Sequence, residues 1–509
     1  MADGRAGDKC TGDETEVRSH MKDFWTAYSK DATVESMMHD TKASTLTEME
    51  SKEIMSMLPN IEGKRILELG AGIGRQTKLF AEKAAHVSAV DFMETFVEKN
   101  RQNNSHLENV EFIQADITKL DLPEESYDIV FSNWLMMYLS DDEVLKLFTN
   151  TLKWLKEGGF VFFRESCFGK AGDFDHGEDN PTFYRLPSQY NALFHSAFLP
   201  CGKDGDESHG FEIIFSKTVQ TYVKVKQNRT QICWLLRKKR IAEYHHGYTT
   251  FQAFLDNQQY AKKSILQYER MFGEGSISPG GLERAKECIK MLALKPGQKV
   301  LDVGCGIGGA AFHMTETYGV EVLGVDLSSN MIEIAMERTV AKTDNPQVQF
   351  EVCDVTRRDF HADAFDVIYS SHIIVHVVDK LSLFGSFVKW TKPGGKLLIS
   401  DYYCGNPDDH SEDFKEYVKQ RGYTICTTAK FGKLLSSAGF VNVKVEDRTK
   451  QLIEVLRREK KQLQEKKDSF VKDFSVEEYQ NILSSWDNKL KWSDAGHLRL
   501  GVFYAEKPE

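Results

Sequence analysis

Two short glycine-rich segments have the residue types needed to bind a nucleotide cofactor. Residues 68–74 read ELGAGIG and residues 302–308 read DVGCGIG, and each follows a short apolar run and precedes an amphipathic stretch. Glycine is needed at such a strand-to-helix turn because a side chain would block both the tight turn and the cofactor. The residues assigned to the cofactor loops are Glu68, Gly70, Gly72 and Gly74 in the first segment and Asp302, Gly304, Gly306 and Gly308 in the second.

Carboxylates follow each loop at the spacing expected of ribose ligands. Asp91 and Asp326 end the next predicted strand about 20 residues later, where a carboxylate can accept hydrogen bonds from two ribose hydroxyls. Asp116 and Asp354 end the third predicted strand. These two side chains could receive the exocyclic amine of an adenine, or they could cap the following turn.

The charge of the loops indicates which nucleotide is bound. Gly304, Gly306 and Gly309 fit a dinucleotide fingerprint, but the first segment has Arg75 at the last position. Both segments share an acid two residues before the first glycine. That acid would repel a pyrophosphate but suits a cofactor with an ammonium and a sulfonium, which is S-adenosylmethionine.

The rest of the chain repeats with the loops. Corresponding landmarks stay 234 to 238 residues apart, from Gly70 and Gly304 to Tyr138 and His376. Short apolar runs alternate with helical patterns in both copies, which predicts an α/β fold of two tandem doubly wound Rossmann-like domains with mostly parallel central sheets. The predicted strands are residues 65–70, 85–91, 110–116 and 127–132 in the first copy and 299–304, 320–326, 348–354 and 364–370 in the second. The predicted organisation is a polar tail over 1–20, domain 1 over 21–234, a connector over 235–259 and domain 2 over 260–509.

Composition restricts the class of protein. The chain has 509 residues and a net charge of −11, the wrong sign for long-range capture of nucleic acid or anionic lipid. Its nine cysteines are scattered, which favours reduced thiols, and neither a signal core nor a membrane-spanning run is seen. We therefore expect a cytoplasmic protein with no stable membrane insertion, no nucleic-acid partner and, with no metal-ligand spacing in evidence, no metal site.

Longer motifs give a family resemblance. The loops, together with the glycine turns at 158–159 and 394–395, resemble class I S-adenosylmethionine-dependent methyltransferases. Neither copy carries the Asn/Asp-Pro-Pro-aromatic turn of enzymes that methylate bases in DNA. Nearly the whole chain resembles the tandem phosphoethanolamine N-methyltransferases, which make phosphocholine by three methylations. The segments that carry this resemblance are 133–140, 162–167, 180–185, 259–260, 268–273, 276–281, 401–402, 416–423 and 486–489.

The resemblance implies roles for particular residues. Tyr260 and His376 are expected to close over the active site of domain 2 and to handle the amine proton. Domain 1 has Tyr138 in the register of His376, and Tyr28 is its second catalytic candidate. The predicted phosphate ligands are Tyr268, Tyr402, Tyr417, Arg421, Tyr423 and Lys489 in domain 2 and Tyr184 and Arg185 in domain 1. Arg185 is included because it lies 236 residues before Arg421.

One departure from the family pattern concerns substrate binding in domain 2. Ser371 and His372 stand where similar domains usually carry Arg-Asp, and that aspartate is thought to contact the substrate amine. Either His372 makes a polar contact of its own, or domain 2 is weakened, or it takes a narrower set of substrates. The expected partners are small phosphobases, and the sequence implies no oligomer. The alternatives are a methyltransferase for another small amine or a sterol, and a cofactor-binding protein with a degenerate second domain.

Overall fold

A computed structural model describes residues 14–169, 182–201, 207–241, 247–248, 250–341 and 347–509. Most of the predicted tail, and the beginning of the 180–185 motif, lie outside these ranges. The chain divides into two compact units, Met1–Phe254 and Leu255–Glu509, called domain 1 and domain 2 below. In the described ranges, no helix is both long and apolar enough to cross a membrane.

Domain 1 is built on a sheet with parallel strands at its centre. The order is β7-β8-β5-β4-β1-β2-β3, with β6 paired to β7. The strands are β1 Arg65–Leu69, β2 His86–Asp91, β3 Val110–Gln114, β4 Tyr127–Asn133, β5 Leu155–Ser166, β6 Leu199–Cys201, β7 Glu207–Thr218 and β8 Gln231–Ile241. The helices are α1 Glu14–Tyr28, α2 Val34–Met38, α3 Ala43–Met57, α4 Arg75–Ala81, α5 Glu94–Asn104, α6 Asp141–Trp154, α7 Pro187–His195, α8 Gln220–Lys226 and α9 Phe251–Phe254.

Domain 2 repeats this plan with the order β14-β15-β13-β12-β9-β10-β11. Its strands are β9 Lys299–Val303, β10 Glu321–Asp326, β11 Val348–Val352, β12 Phe365–Ser371, β13 Thr391–Cys404, β14 Val441–Asp447 and β15 Leu498–Glu506. Its helices are α10 Lys262–Phe272, α11 Gly281–Leu292, α12 Gly309–Tyr318, α13 Ser329–Ala341, α14 Lys380–Trp390, α15 Glu412–Gln420, α16 Thr428–Ala438, α17 Thr449–Glu465, α18 Lys467–Asp473 and α19 Val476–Asp494.

The predicted fold class is confirmed, and the repeat has a plain physical basis. Strands β1 and β9 pair in parallel with neighbours on both sides, and their apolar side chains are buried beneath helices on both faces of the sheet. The strands end at one edge of each sheet, where the glycine loops follow directly. This edge is where a doubly wound fold binds its ligand.

The predicted connector begins too early. Residues 235–241 belong to β8, which pairs antiparallel with β5 and β7 inside domain 1. The prediction was wrong because residues on the neighbouring strands compensate the charges of this basic run. Glu212 of β7 pairs with Arg237, and the buried Nζ of Lys238 donates to the Leu155 carbonyl of β5 at 2.7 Å. The structure places the division between Phe254 and Leu255, so domain 2 begins five residues before the predicted boundary at 260.

Candidate active site

The two glycine loops have the backbone conformation that the sequence predicts. In each domain the first three glycines, including Gly74 and Gly308, have positive φ. Gly74 has φ 86° and precedes α4, and a Cβ there would overlap the side-chain amide of Asn100. Any larger residue would therefore strain the turn and displace the α5 side chain that packs against it.

The predicted ribose carboxylates hold the loops at their base. Asp91 accepts hydrogen bonds from the backbone N–H of Gly72 at 2.8 Å and of Met93 at 2.9 Å. Asp326 does the same for Gly306 at 3.0 Å and Ser328 at 2.9 Å. Each carboxylate oxygen has a further lone pair, so both side chains can brace the loop and still accept ribose hydroxyls.

Asp116 and Asp354 lie in local turns. Asp116 accepts from the backbone and hydroxyl of Thr118, and Asp354 accepts from those of Thr356. The second oxygen of Asp354 also lies 3.4 Å from Arg357. The turn-capping alternative is therefore present at both positions, while Asp116 also lines the cavity of domain 1.

The acids before the first glycine are buried at the base of each loop. Glu68 accepts a hydrogen bond from Thr77 at 2.6 Å, and burial raises its pKa to about 8. Burial and the nearby Asp326 raise the pKa of Asp302 to about 8, and its Oδ2 has no hydrogen-bond partner among the described residues. An unpaired buried carboxyl oxygen beside a positive-φ glycine turn fits a cofactor that brings an ammonium.

Domain 1 has a cavity of about 180 Å³ that joins the cofactor loop to predicted substrate residues. Its wall includes Glu68, Asp91, Tyr138 and Tyr184. Burial raises the pKa of Tyr138, so its phenol stays protonated at neutral pH. This side chain can therefore donate or accept a hydrogen bond but cannot act as a phenolate base.

Two domain 1 predictions are not supported by the geometry. Arg185 does not extend as a phosphate ligand, because its Nε donates to Asp141 at 2.7 Å and its other two nitrogens donate to the carbonyls of Met136 and Leu139. Tyr28 packs against His39, with ring centroids 4.5 Å apart, and it is His39 that lines the cavity. Tyr28 therefore lies behind His39 and does not line the cavity itself.

The sequence reasoning missed two cavity residues that these packing arrangements reveal. Trp25 lies one helical turn before Tyr28, and its ring centroid is 5.2 Å from that of Tyr138. His39 adopts a left-handed conformation, with φ 50°, immediately after α2. A histidine at that position, preceded by two methionines, is a weak sequence signal because its left-handed backbone and its place on the cavity wall depend on the tertiary fold.

The loops that carry Tyr138 and His376 are held in the same way. Glu165 accepts from three successive backbone N–H groups, those of Leu135, Met136 and Met137, at 2.8 to 3.2 Å. Asp401, at the matching place on β13, accepts from the backbone N–H of Val375 at 3.0 Å. A carboxylate from the neighbouring strand thus fixes each turn.

The predicted phosphate ligands of domain 2 gather around one guanidinium. The electrostatic neighbours of Arg421 are the four tyrosines at positions 260, 268, 417 and 423, and its Cζ lies 5.8 Å from the Tyr417 ring centroid. Burial, together with the nearby positive charge of Arg421, lowers the pKa of Lys489 to about 7. A dianion entering this cluster would be attracted by both cations and would accept from neutral hydroxyls.

The candidate base of domain 2 lies against the same cluster. The ring centroid of His376 is 5.0 Å from that of Tyr423, and Tyr423 has Tyr260 among its electrostatic neighbours. Burial, with Arg421 and Lys380, lowers the pKa of His376 to about 4, so the ring is neutral. The structure therefore brings Tyr260 and His376 to the cluster around Arg421.

Comparisons with known proteins agree with this arrangement. Residues 66–159 and residues 294–454 each match a family model described as a methyltransferase domain. The chain is 48% identical to phosphoethanolamine N-methyltransferase of Triticum aestivum, over 97% of this chain and 96% of that protein. It is 47% identical to phosphoethanolamine N-methyltransferase 3 of Arabidopsis thaliana, over 97% and 99%.

The chain belongs to the phosphoethanolamine N-methyltransferase family. Among solved structures it is similar to phosphoethanolamine N-methyltransferase 2 of Haemonchus contortus, in complex with phosphomonomethylethanolamine and S-adenosylhomocysteine. That likeness has a TM-score of 0.74 at 26% identity and covers 91% of this chain and 99% of the other. The family assignment made from the sequence is thus confirmed over nearly the full length of both relatives.

Proposed function

We propose that this chain converts phosphoethanolamine to phosphocholine by successive methyl transfers, with domain 1 performing the first and domain 2 the later ones. It is a phosphoethanolamine N-methyltransferase that uses S-adenosylmethionine. The observation that carries the proposal is in domain 2, where Tyr260 has both Arg421 and the loop-bracing Asp326 among its electrostatic neighbours. The phosphate cluster and the cofactor loop therefore meet at one side chain.

The phosphate is the group that this pocket is best built to hold. Arg421 offers a planar fork of donors and Lys489 a point charge, while the tyrosine hydroxyls add neutral donors. An apolar sterol would leave these buried donors unpaired at a cost of about 1–3 kcal/mol each. A small phosphorylated amine is thus favoured over the other methyl acceptors that the sequence left open.

The reaction needs a neutral amine aimed along the bond from methyl to sulfur. The cofactor supplies an electrophilic methyl group. The chain's own residues fix the phosphate, and with it the position of the amine, which accounts for much of the rate in a reaction of this kind. Since the amine has a reference pKa near 10, a proton must leave it before or during transfer.

The two domains must handle that proton differently. In domain 2 we expect His376 to accept it, because a bound phosphate would offset the charge of Arg421 that now helps to lower the pKa of His376. In domain 1 the phenol of Tyr138 can orient the amine through its oxygen lone pair. The proton must then pass to water or to another acceptor.

A time course on the full-length chain tests the division of labour. Asp91→Ala should silence domain 1, and Asp326→Ala should silence domain 2, because each removes the brace of one glycine loop. We expect the Asp91 variant to methylate only phospho-monomethyl- and phosphodimethylethanolamine, and the Asp326 variant to accumulate phospho-monomethylethanolamine. Formation of phosphocholine by the Asp326 variant would contradict the assignment of the later methylations to domain 2. If none of the chains transfers a methyl group although each binds cofactor, the alternative of a cofactor-binding protein with a degenerate domain is favoured.

Cofactor binding is expected to strengthen as the pH rises. Glu68 and Asp302 must ionise to pair with the cofactor's ammonium, and each has a pKa of about 8, so affinity should rise by up to about tenfold per pH unit below 8. The cofactor-free protein should show the opposite trend. Its folded state holds protons that the unfolded chain releases near pH 4, so its stability falls as the pH rises through this window.

Calorimetric titration with S-adenosylhomocysteine between pH 6 and pH 9 measures this dependence. Asp302→Asn should flatten the pH dependence of one of two sites and Glu68→Gln that of the other, so each variant is the control for the other. Parallel pH dependence in all three chains would contradict the assigned role of these carboxyls.

We further propose that the enzyme acts as a monomer in the cytosol. The eight described cysteines form no disulfide with one another, which suits a reducing compartment. Light scattering of the purified chain tests the oligomeric state.

A further inference from the structure

One buried position near the phosphate cluster of domain 2 has the opposite charge to its counterpart in domain 1. Glu50 on α3 and Arg284 on α11 each lie 15 residues before the first strand of their sheet. Glu50 is fully buried and receives the guanidinium groups of Arg75 and Arg164. Arg284 is only 7% exposed, and it is an electrostatic neighbour of the predicted phosphate ligand Tyr402.

The partner of Arg284 is His372. Nη2 of Arg284 is in hydrogen-bond contact with Nε2 of His372, which follows β12 in a left-handed conformation with φ 58°. Trp134 has the same place and conformation after β4, with φ 55°. Domain 1 therefore has an indole where domain 2 has an imidazole bonded to a cation.

This contact fixes which atom of His372 carries a proton. Burial and the charge of Arg284 lower the pKa of His372 well below its usual value, so the ring is neutral. Arg284 can only donate, so Nε2 must accept and Nδ1 must carry the hydrogen. His372 thus presents an N–H donor rather than an acceptor.

The donor lies near both the phosphate cluster and the candidate base. The ring of His372 packs on the predicted phosphate ligand Tyr402, with centroids 4.7 Å apart, and Lys489 and His376 are among its electrostatic neighbours. Nδ1 of His372 and Nη1 of Arg284 are both buried and have no hydrogen-bond partner in the described part of the chain. The buried pair of Arg284 and His372 therefore carries two donors that an amine N–H cannot satisfy.

We propose that Arg284 and His372 make domain 2 selective for methylated phosphobases. A neutral primary amine brings two N–H groups that need acceptors, a monomethyl amine brings one and a dimethyl amine none. Every one of these amines leaves the two donors without an acceptor, so that cost is common to all three substrates. The primary amine adds the cost of its own unpaired N–H groups, whereas methyl groups pack against the rings of His372 and Tyr402. The inference rests on the proposed function and names the substrate class of domain 2.

The nearby carboxyl of Glu459 is the competing explanation for amine binding. Its Oε1 accepts from the backbone N–H of Gly280 at 2.8 Å, and burial raises its pKa to about 7 although Arg284 and Lys489 oppose the rise. If Glu459 held the ammonium, Glu459→Gln would change the order of substrates. The selectivity proposal expects that order to be unchanged.

The experiment uses the full chain with Asp91→Ala, so that methyl transfer reports on domain 2. We expect kcat/KM for phosphoethanolamine to be at least about tenfold below that for phosphodimethylethanolamine. Arg284→Met leaves Nε2 of His372 free to accept a hydrogen bond from the amine, so the ratio of the two kcat/KM values should fall to about threefold or less. Arg284→Lys keeps a donor at this position and should preserve the ratio of the parent chain. Comparable values for the three substrates in the parent chain would overturn the proposal.

The controls separate this inference from the function on which it rests. An unchanged ratio in an Arg284→Met chain that melts like its parent would also overturn the selectivity. If Arg284→Met does not fold, the parent chain and the Arg284→Lys chain still test the proposal. Both must show a kcat/KM for phosphoethanolamine at least about tenfold below that for phosphodimethylethanolamine. Transfer to none of the three substrates, with S-adenosylhomocysteine still bound, would overturn the proposed function of domain 2 and the selectivity together.

Discussion

Replacing Arg421 with alanine is expected to raise the KM of domain 2 for phosphodimethylethanolamine by about 100-fold. The guanidinium is surrounded by four tyrosines, and its planar fork matches the oxygens of a phosphate. Charge-assisted hydrogen bonds in a partly buried site contribute about 1.5–3 kcal/mol each, and tenfold in affinity corresponds to about 1.4 kcal/mol. Loss of the guanidinium donors of Arg421 should therefore raise the KM more than it lowers kcat.

Steady-state kinetics and cofactor titration on the same protein distinguish binding from folding. Arg421→Lys keeps the charge but loses the fork, so we expect it to recover only part of the affinity. S-adenosylhomocysteine should bind both variants as it binds the parent chain, because the loop-bracing hydrogen bonds of Asp326 do not involve Arg421. A lowered kcat with an unchanged KM would show that Arg421 supports the fold rather than the phosphate.

The phosphate ligands of domain 2 are implied by the family resemblance, and three of them are also close together in the sequence. Tyr417, Arg421 and Tyr423 lie at the end of one short helix and the turn after it, so their spacing alone keeps them together. Lys489 is brought to them by α19, whose Trp486 is buried one turn earlier in a large apolar cluster. The local sequence alone keeps Tyr417, Arg421 and Tyr423 together, whereas the assignment of Lys489 depends on the resemblance because α19 reaches the cluster through tertiary packing.

Arg185 shows where equal spacing is not enough. Its offset from Arg421 places its backbone in the corresponding region, but Asp141 is available nearby and the side chain turns inward to it. The same limit applies to the connector, since Arg237, Lys239 and Arg240 pair with Glu212 and Glu207 of β7, which lie 25 to 33 residues earlier. Partners chosen by tertiary packing leave no pattern in the local sequence.

Glu50 is the clearest residue that sequence reasoning could not assign. It lies in a helix with other acids, and nothing nearby marks it as different from Glu48, which is exposed and pairs with Lys52 one turn later. Its partner Arg164 is 114 residues away on β5. Arg164 also stacks on Trp134, with its Cζ 3.7 Å from the ring centroid, so one buried ion pair connects α3, β5 and the turn beside the cavity.

Replacing Glu50 with glutamine is accordingly expected to destabilise domain 1 by about 3–5 kcal/mol. The substitution preserves side-chain size but leaves Arg75 and Arg164 without their shared carboxylate, and removing one partner of a buried pair leaves an uncompensated charge. Glu48→Gln is the matched control on the same helix, where the pair with Lys52 is exposed and its loss should change stability little. Urea unfolding followed by tryptophan fluorescence measures the difference.

The pH dependence of unfolding adds a second test. Burial alone would raise the pKa of Glu50, but Arg164 and Arg75 lower it on balance. A carboxyl whose folded pKa is below its unfolded value near 4.5 adds stability above that pH, and this stability is lost as the pH falls through the folded pKa. The parent chain should therefore lose this increment of stability on acidification, while Glu50→Gln should already lack it at neutral pH. If Glu50→Gln is as stable as the Glu48→Gln control at pH 7, the buried ion pair only offsets the cost of its own desolvation. Some other interaction must then hold the turn beside the cavity.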